Sequence, residues 1–445
     1  MSSAALKRQL GFWDSIAINI GIVIGVGIFR VPSEVAKYVH SPEWMITAWI
    51  LGGVISLTGV LCYAELSSLF PRSGGTYIFL REAYGPRIGF LFGWMEFSVL
   101  RAGSLAGVAY VFSAYLKNFI SIGPGTEKAI AVSAIAAFTL LNICGLRYGT
   151  GVQNVLSVLK VCTLLGISAA IFMFKREGLD LPAAQTIEPI KDHWWYLAPA
   201  LIPVLWGYGG WNESTFMSGE FKDTRWALPL SLVTSIAIIT GLYVLINIAY
   251  LSVLTPGAML QTKSIASDIL SALFGTPGRL IISAAVLVSA SGALNSCILT
   301  GARIPFAVGQ DSEKLSWLGN VHGTLGTPVW AFLVNGAWAI LLVLWGNFEE
   351  LLFFTGFAKW FFFTLAGASI FILRRRHQGQ DNFRLPGYPF VPLFFTGFAL
   401  TLFITTIVSE PQAAFWGALL LLLGLPIYRL LHPRGVSGTK GIGKA

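Results

Sequence analysis

The chain reads as an all-α membrane protein of twelve transmembrane helices. Ten form a 5+5 inverted repeat with discontinuous first and sixth helices, and two more follow at the C-terminus. Three observations predict this class: the composition, the spacing of the apolar runs, and two glycine-rich interruptions at corresponding places. Of 445 residues, 55% are hydrophobic and only 11% charged, with a mean hydropathy of +0.70. A soluble domain carries about 25% charged residues, so this chain lacks the polar surface to coat a water-soluble body of its size. A hydrocarbon core about 30 Å thick takes roughly 20 apolar residues per helix, and about twelve helices use about 240 residues.

Apolar runs lie at 12–39, 43–70, 88–116, 128–146 and 150–174, then at 195–219, 229–254, 279–309, 328–346 and 350–373, and finally at 389–408 and 412–431. The organisation that follows is an N-terminal segment 1–11, a five-helix unit 12–174, a second unit 195–373, a C-terminal pair 389–431 and a tail 432–445. Runs beyond about 25 residues fit tilted or irregular helices. Lys7 and Arg8 precede the first run as in a signal peptide, yet it continues into further spans with no small-residue cleavage site, so its retention is expected. With both termini placed inside, about 18 Lys and Arg, Arg303 among them, gather on that side against about 8 opposite, which predicts cytoplasmic termini. The net charge of +9 does not indicate nucleic-acid binding, because the basic residues sit between apolar runs rather than on one face.

Gly25-Val26-Gly27 interrupts the first run, and Gly207-Tyr208-Gly209-Gly210 the sixth. An odd number of spans per half inverts the second half relative to the first, and paired interruptions in an inverted repeat mark a transporter's central site. Close helix packing on glycine is the plainer alternative. Without side chains at 25 and 27 the backbone can unwind, and the N–H groups opening the second half-helix then suit a carboxylate. Carbonyls near Val23 suit an ammonium. Trp206 to Trp211 offers a second set of backbone groups, with aromatic rings to cover a bound solute.

Several runs carry a family resemblance: GVGIF, YAELSSLFPRSGGTYIFLREAYGP, WMEFSVLR at Trp94 to Arg101, VQNVLSVLK at Val152 to Lys160, WGYGGWNESTF, SGALNSCILTGARIPF at Ser291 to Phe306, and RLPGYPFVP. Together they resemble the amino acid–polyamine–organocation superfamily and, within it, the L-type amino acid transporter branch, over nearly the whole chain. The resemblance implies the LeuT-type fold and transport of L-amino acids by alternating access, often as exchange. It also implies that Val23, Gly25, Val26, Gly27 and Gly209 contact the substrate through their backbone and that Trp206 is a gating aromatic, with packing in the core as the lesser alternative for Trp206.

Four basic residues, Arg30, Arg101, Lys160 and Lys359, fall within spans. Lys160 lies about 10 residues inside the fifth run, about 15 Å from its end at 1.5 Å per residue, too deep to snorkel and a functional candidate by position. It resembles the family's fifth-span lysine, whose amine takes the place of a sodium ion between the first and eighth spans; sodium-independent transport is implied. Glu96 and Arg101 are five α-helical steps apart, a rotation of about 140°, so each is expected to need another partner. Arg30 and Glu34 are expected to pair locally. Lys359 stands where the branch often has a neutral polar residue facing the substrate side chain, and Glu213 at another place usually uncharged. Either the two neutralise each other across the cavity, or Lys359 selects a polar or acidic substrate side chain. The cost of an unpaired buried charge favours the pair.

Four cysteines, Cys62, Cys144, Cys162 and Cys297, form no CxxC motif. In animal relatives a cysteine in the loop after the third span joins an accessory glycoprotein; here Lys117 to Lys128 contains none, so a disulfide-linked subunit is not expected. A membrane-embedded enzyme would need clustered Asp, Glu or His, whereas His40, His193, His322, His377 and His432 are scattered. A channel would show a repeated filter or charged ring. The expected protein is therefore a secondary transporter without metal or cofactor, in the plasma or inner membrane of a prokaryote. Its partners are an L-amino acid and the bilayer. Exchange is expected, with proton-coupled uptake of amino acids or polyamines as the alternative; Val108 on the third span and Lys359 on the tenth would read the side chain.

Overall fold

A computed structural model describes residues 6–120, 123, 126–176, 179, 181, 194–262, 264–346, 348–379 and 381–431, with backbone alone at 348–355. The expected tail 432–445, His193 and His432 lie outside the described residues. Nine described helices are long and apolar enough to cross a membrane, and the shorter apolar helices Phe12–Val23, Leu197–Gly207 and Val329–Trp345 fill the first, sixth and ninth predicted places. The twelve spans thus fall where the apolar runs put them, with ends shifted by a few residues. The fifth, for example, is Leu146–Phe174.

The first span breaks after Val23. Ile24, at φ −76° and ψ 75°, centres an inverse γ-turn closed by the Gly25 N–H on the Val23 carbonyl at 2.8 Å. The chain resumes as a 3₁₀ turn, Val26–Phe29, and a short helix, Val31–Val35. The sixth span stops at Gly207 and resumes as the 3₁₀ segment Glu213–Glu220. Between them Gly210 holds φ +108°, and a Cβ there would stand 2.2 Å from Ile22 Cγ2. Only glycine satisfies both the left-handed backbone and the close approach.

Numbering rises along the first span as it falls along its neighbour: Asn19 bonds Ser214, Ile22 abuts Gly210, and Gly27 lies under Trp206. The two broken spans therefore run antiparallel, break beside break. In a bilayer no hydrophobic drive pulls helices together, so small residues and interhelical hydrogen bonds must hold them. Asn19 donates to Ser235 of the seventh span at 3.1 Å, and Ser231 donates to Ser15 at 2.6 Å. Gly21 leaves room for Gln153, which donates to the Ala17 carbonyl at 3.2 Å.

Two amphipathic helices of nine and ten residues within the loops were not expected. Thr76–Tyr84 follows Gly75 at φ +49° and buries Tyr77, Ile78, Phe79 and Leu80, and Ile265–Phe274 precedes the eighth span. Both are amphipathic and too short to register as apolar runs. The final spans, Phe390–Ser409 and Pro411–Leu431, pack outside the tenth and expose Leu400, Ile404 and Leu422.

Candidate functional site

The breaks meet at the middle of the bundle. Val26 and Gly27 open the 3₁₀ turn, so their N–H groups fall outside its own ladder and are free to receive an anion. Gly25, Val26 and Gly27 are half-buried. Trp206 is 66% exposed, and a ring carbon lies 3.1 Å from where a Gly27 Cβ would stand. This indole lies over the first break and is not packed in the core.

The Val23 carbonyl, expected to accept a substrate ammonium, is already occupied. It accepts from Gly25 N–H at 2.8 Å and lies 2.6 Å from the Tyr243 hydroxyl, which is also 3.0 Å from the Gly207 carbonyl. Tyr243, on the seventh span Ala227–Leu251, thereby ties both breaks together. Sequence reading missed it, since one tyrosine in an apolar helix looks like packing.

Lys160 is the middle residue of its 29-residue helix and is 2% exposed. Its ammonium donates to the carbonyl of Gly21 and, at 2.9 Å, to that of Ile24, which also accepts from Ser289 at 3.0 Å. A Cβ on Gly292 would stand 2.7 Å from Lys160 Cε. Its ammonium thus occupies the seam between the first and eighth spans.

Three expected charge pairings differ from those observed. Glu96–Arg101 is a π-helical turn, and its wider winding brings residues five apart onto one face. Arg101 reaches Glu96 at 2.9 Å after all. The expected Glu213–Lys359 pair is not formed. Glu213 bonds Arg101 at 2.9 Å and receives the Thr300 hydroxyl at 2.6 Å, because the 3₁₀ segment turns its carboxylate toward the third and eighth spans. Lys359 is half-buried against the backbone of Gly209, its Nζ 2.6 Å from the position a Cβ would take, and 5.8 Å from the centre of the Phe363 ring. Glu34 pairs with Lys37 at 2.6 Å and not with Arg30, whose φ −122° breaks the helical register between them.

Val108 and Lys359 face different walls. Val108 is half-buried with Ile22 against the cluster of Leu105, Leu294 and Ile298. Lys359 lines a small cavity with Ser56, Gly209, Trp211, Trp360 and Phe363.

The side bearing residue 10 is shut. Arg303, counted from sequence among loop cations, is wholly buried and forks onto Glu220 at 2.8 and 2.7 Å. Gln9 and Leu10 donate N–H groups to the Glu220 carbonyl at 2.8 and 2.9 Å, and Lys222 N–H returns to Leu10 at 3.0 Å. Trp206 is thus exposed beside the breaks, while the Arg303 side is sealed by a buried ion pair and backbone hydrogen bonds.

Two antiparallel broken helices at the core of a twelve-span bundle define a membrane permease. The chain belongs to the amino acid permease family, whose model matches residues 10–427. It is similar to the serine/threonine exchanger SteT of Bacillus subtilis (strain 168), 29% identical over 439 residues covering 97% of this chain and 98% of that one. It is also similar to b(0,+)-type amino acid transporter 1 of Mus musculus, 28% identical over 97% of this chain and 89% of that one. Similarity to large neutral amino acids transporter small subunit 2 of Rattus norvegicus is 28%, over 96% and 81% of the two chains.

Proposed function

We propose that the protein exchanges L-amino acids across a prokaryotic plasma membrane by alternating access, without sodium. The carrying observation is the pair of adjoining breaks, exposed at Trp206 and sealed at Glu220–Arg303. The α-carboxylate meets the N–H groups of Val26 and Gly27, and the ammonium meets a backbone carbonyl at the second break, near Gly209. Trp206 closes over the ligand while Val108 borders it. Lys160 supplies the positive charge between the first and eighth spans that a bound sodium would otherwise supply.

The two five-helix units are 12–174 and 195–373, and the termini are cytoplasmic, in keeping with the excess of Lys and Arg on that side. Any accessory subunit would associate without a disulfide through 117–128, which holds no cysteine. No enzymatic chemistry is assigned to the site. Counterflow in proteoliposomes tests this function. Preloading with unlabelled amino acids should accelerate labelled uptake with choline replacing sodium. Uptake that ignores the preload and follows an imposed pH gradient into empty vesicles would instead establish proton coupling and overturn exchange.

A further inference from the structure

We propose that Lys359 makes the side-chain subsite selective for amino acids ending in an oxygen acceptor, a carboxylate above all, and closes it to cationic side chains. This rests on the two breaks being an amino acid site.

Four charged groups face one another here: Glu96, Arg101, Glu213 and Lys359. Three are mutually engaged. Arg101 holds Glu96 and Glu213 at 2.9 Å each, and Thr300 adds a donor to Glu213 at 2.6 Å. Lys359 stands apart, and among the described residues it makes no ion pair and no hydrogen bond. The contrast with Lys160, whose ammonium is held by two carbonyls, separates a tethered cation from one with three N–H donors still to give. The four formal charges sum to zero. A half-buried ammonium with unused donors nevertheless gains most from an acceptor that reaches it.

Position makes the substrate that acceptor. Lys359 Nζ lies against Gly209, within the sixth-span break, and any side chain at 209 would displace it. Around it stand Trp211, Trp360 and Phe363, with Ser56 as a second polar group. A ligand whose backbone atoms lie on the breaks would reach the ammonium by widening this small cavity, its stem lying along these rings. A carboxylate forms a charge-assisted bond there, an amide or hydroxyl a weaker one, and an aliphatic chain none. A cationic chain meets like charge.

The test is counterflow in proteoliposomes with labelled glutamate, glutamine, serine, leucine and lysine, for the wild type and for Lys359→Met and Lys359→Arg. The wild type should exchange glutamate, glutamine and serine about tenfold or more faster than leucine or lysine, with glutamate ahead. Lys359→Met should collapse that ratio and Lys359→Arg preserve it. Equal exchange of leucine or lysine by the wild type overturns the assignment, whether or not the variants fold. So does an undiminished ratio in Lys359→Met. Failure to exchange any of the five would overturn the exchanger reading itself, a result distinct from loss of selectivity alone.

Discussion

Tyr243 places its hydroxyl 2.6 Å from the carbonyl oxygen of Val23, the last α-helical residue before the first break. The same oxygen atom of Tyr243 lies 3.0 Å from the Gly207 carbonyl, the last before the second. One side chain on the seventh span therefore couples two discontinuities almost two hundred residues apart. Tyr243→Phe should remove about 1 kcal/mol of stability and slow exchange several-fold, since one proton is shared between two carbonyls. Unfolding midpoints together with counterflow rates check both, and an unchanged rate would exclude Tyr243 from the exchange cycle.

Lys160 provides a second handle. Lys160→Ala leaves the carbonyls of Gly21 and Ile24 without their cation, beside the Ser289 hydroxyl that donates to Ile24. Sodium-independent exchange should fall about tenfold or more, given about 1.5–3 kcal/mol for each charged hydrogen bond. Residual exchange should rise with added sodium, because oxygen ligands remain to receive it. Initial rates in sodium and choline buffers decide the point; equal rates in the two would argue against a cation-substituting lysine.

Glu220 and Arg303 close the opposite side from a wholly buried position. Removing one partner strands a charge, at a cost of about 3–5 kcal/mol, whereas removing both leaves no uncompensated charge. Arg303→Ala or Glu220→Ala should therefore lower the unfolding midpoint more than the double variant does. A double variant worse than either single one would show the pair acting mainly through other neighbours.

Gly210 tests the backbone itself. Gly210→Ala must accept a side chain at φ +108° and 2.2 Å from Ile22 Cγ2, so it should cost more than the about 1–2 kcal/mol of left-handed strain alone and abolish exchange. Gly241→Ala, on the seventh span with open space at its Cβ position, should change stability by no more than about 0.5 kcal/mol. Equal behaviour of the two variants in a thermal-stability assay would remove the case for a glycine-enforced break.

Composition and local pattern were enough to determine the twelve spans, the two breaks and the depth of Lys160 within its span. Transfer of an apolar segment into lipid is a sum over its own residues, and a glycine interruption is equally local. Partner choice is not local. Arg101 lay on the wrong face of an α-helix to meet Glu96 until a π-turn rewound the backbone, and Glu213 turned toward Arg101 and Thr300 instead of Lys359. Arg303 resembled a loop cation until Glu220 buried it, and Tyr243 had no mark to set it apart from packing. Those outcomes depend on the register and rotation of helices far apart in the chain, which only the assembled bundle specifies.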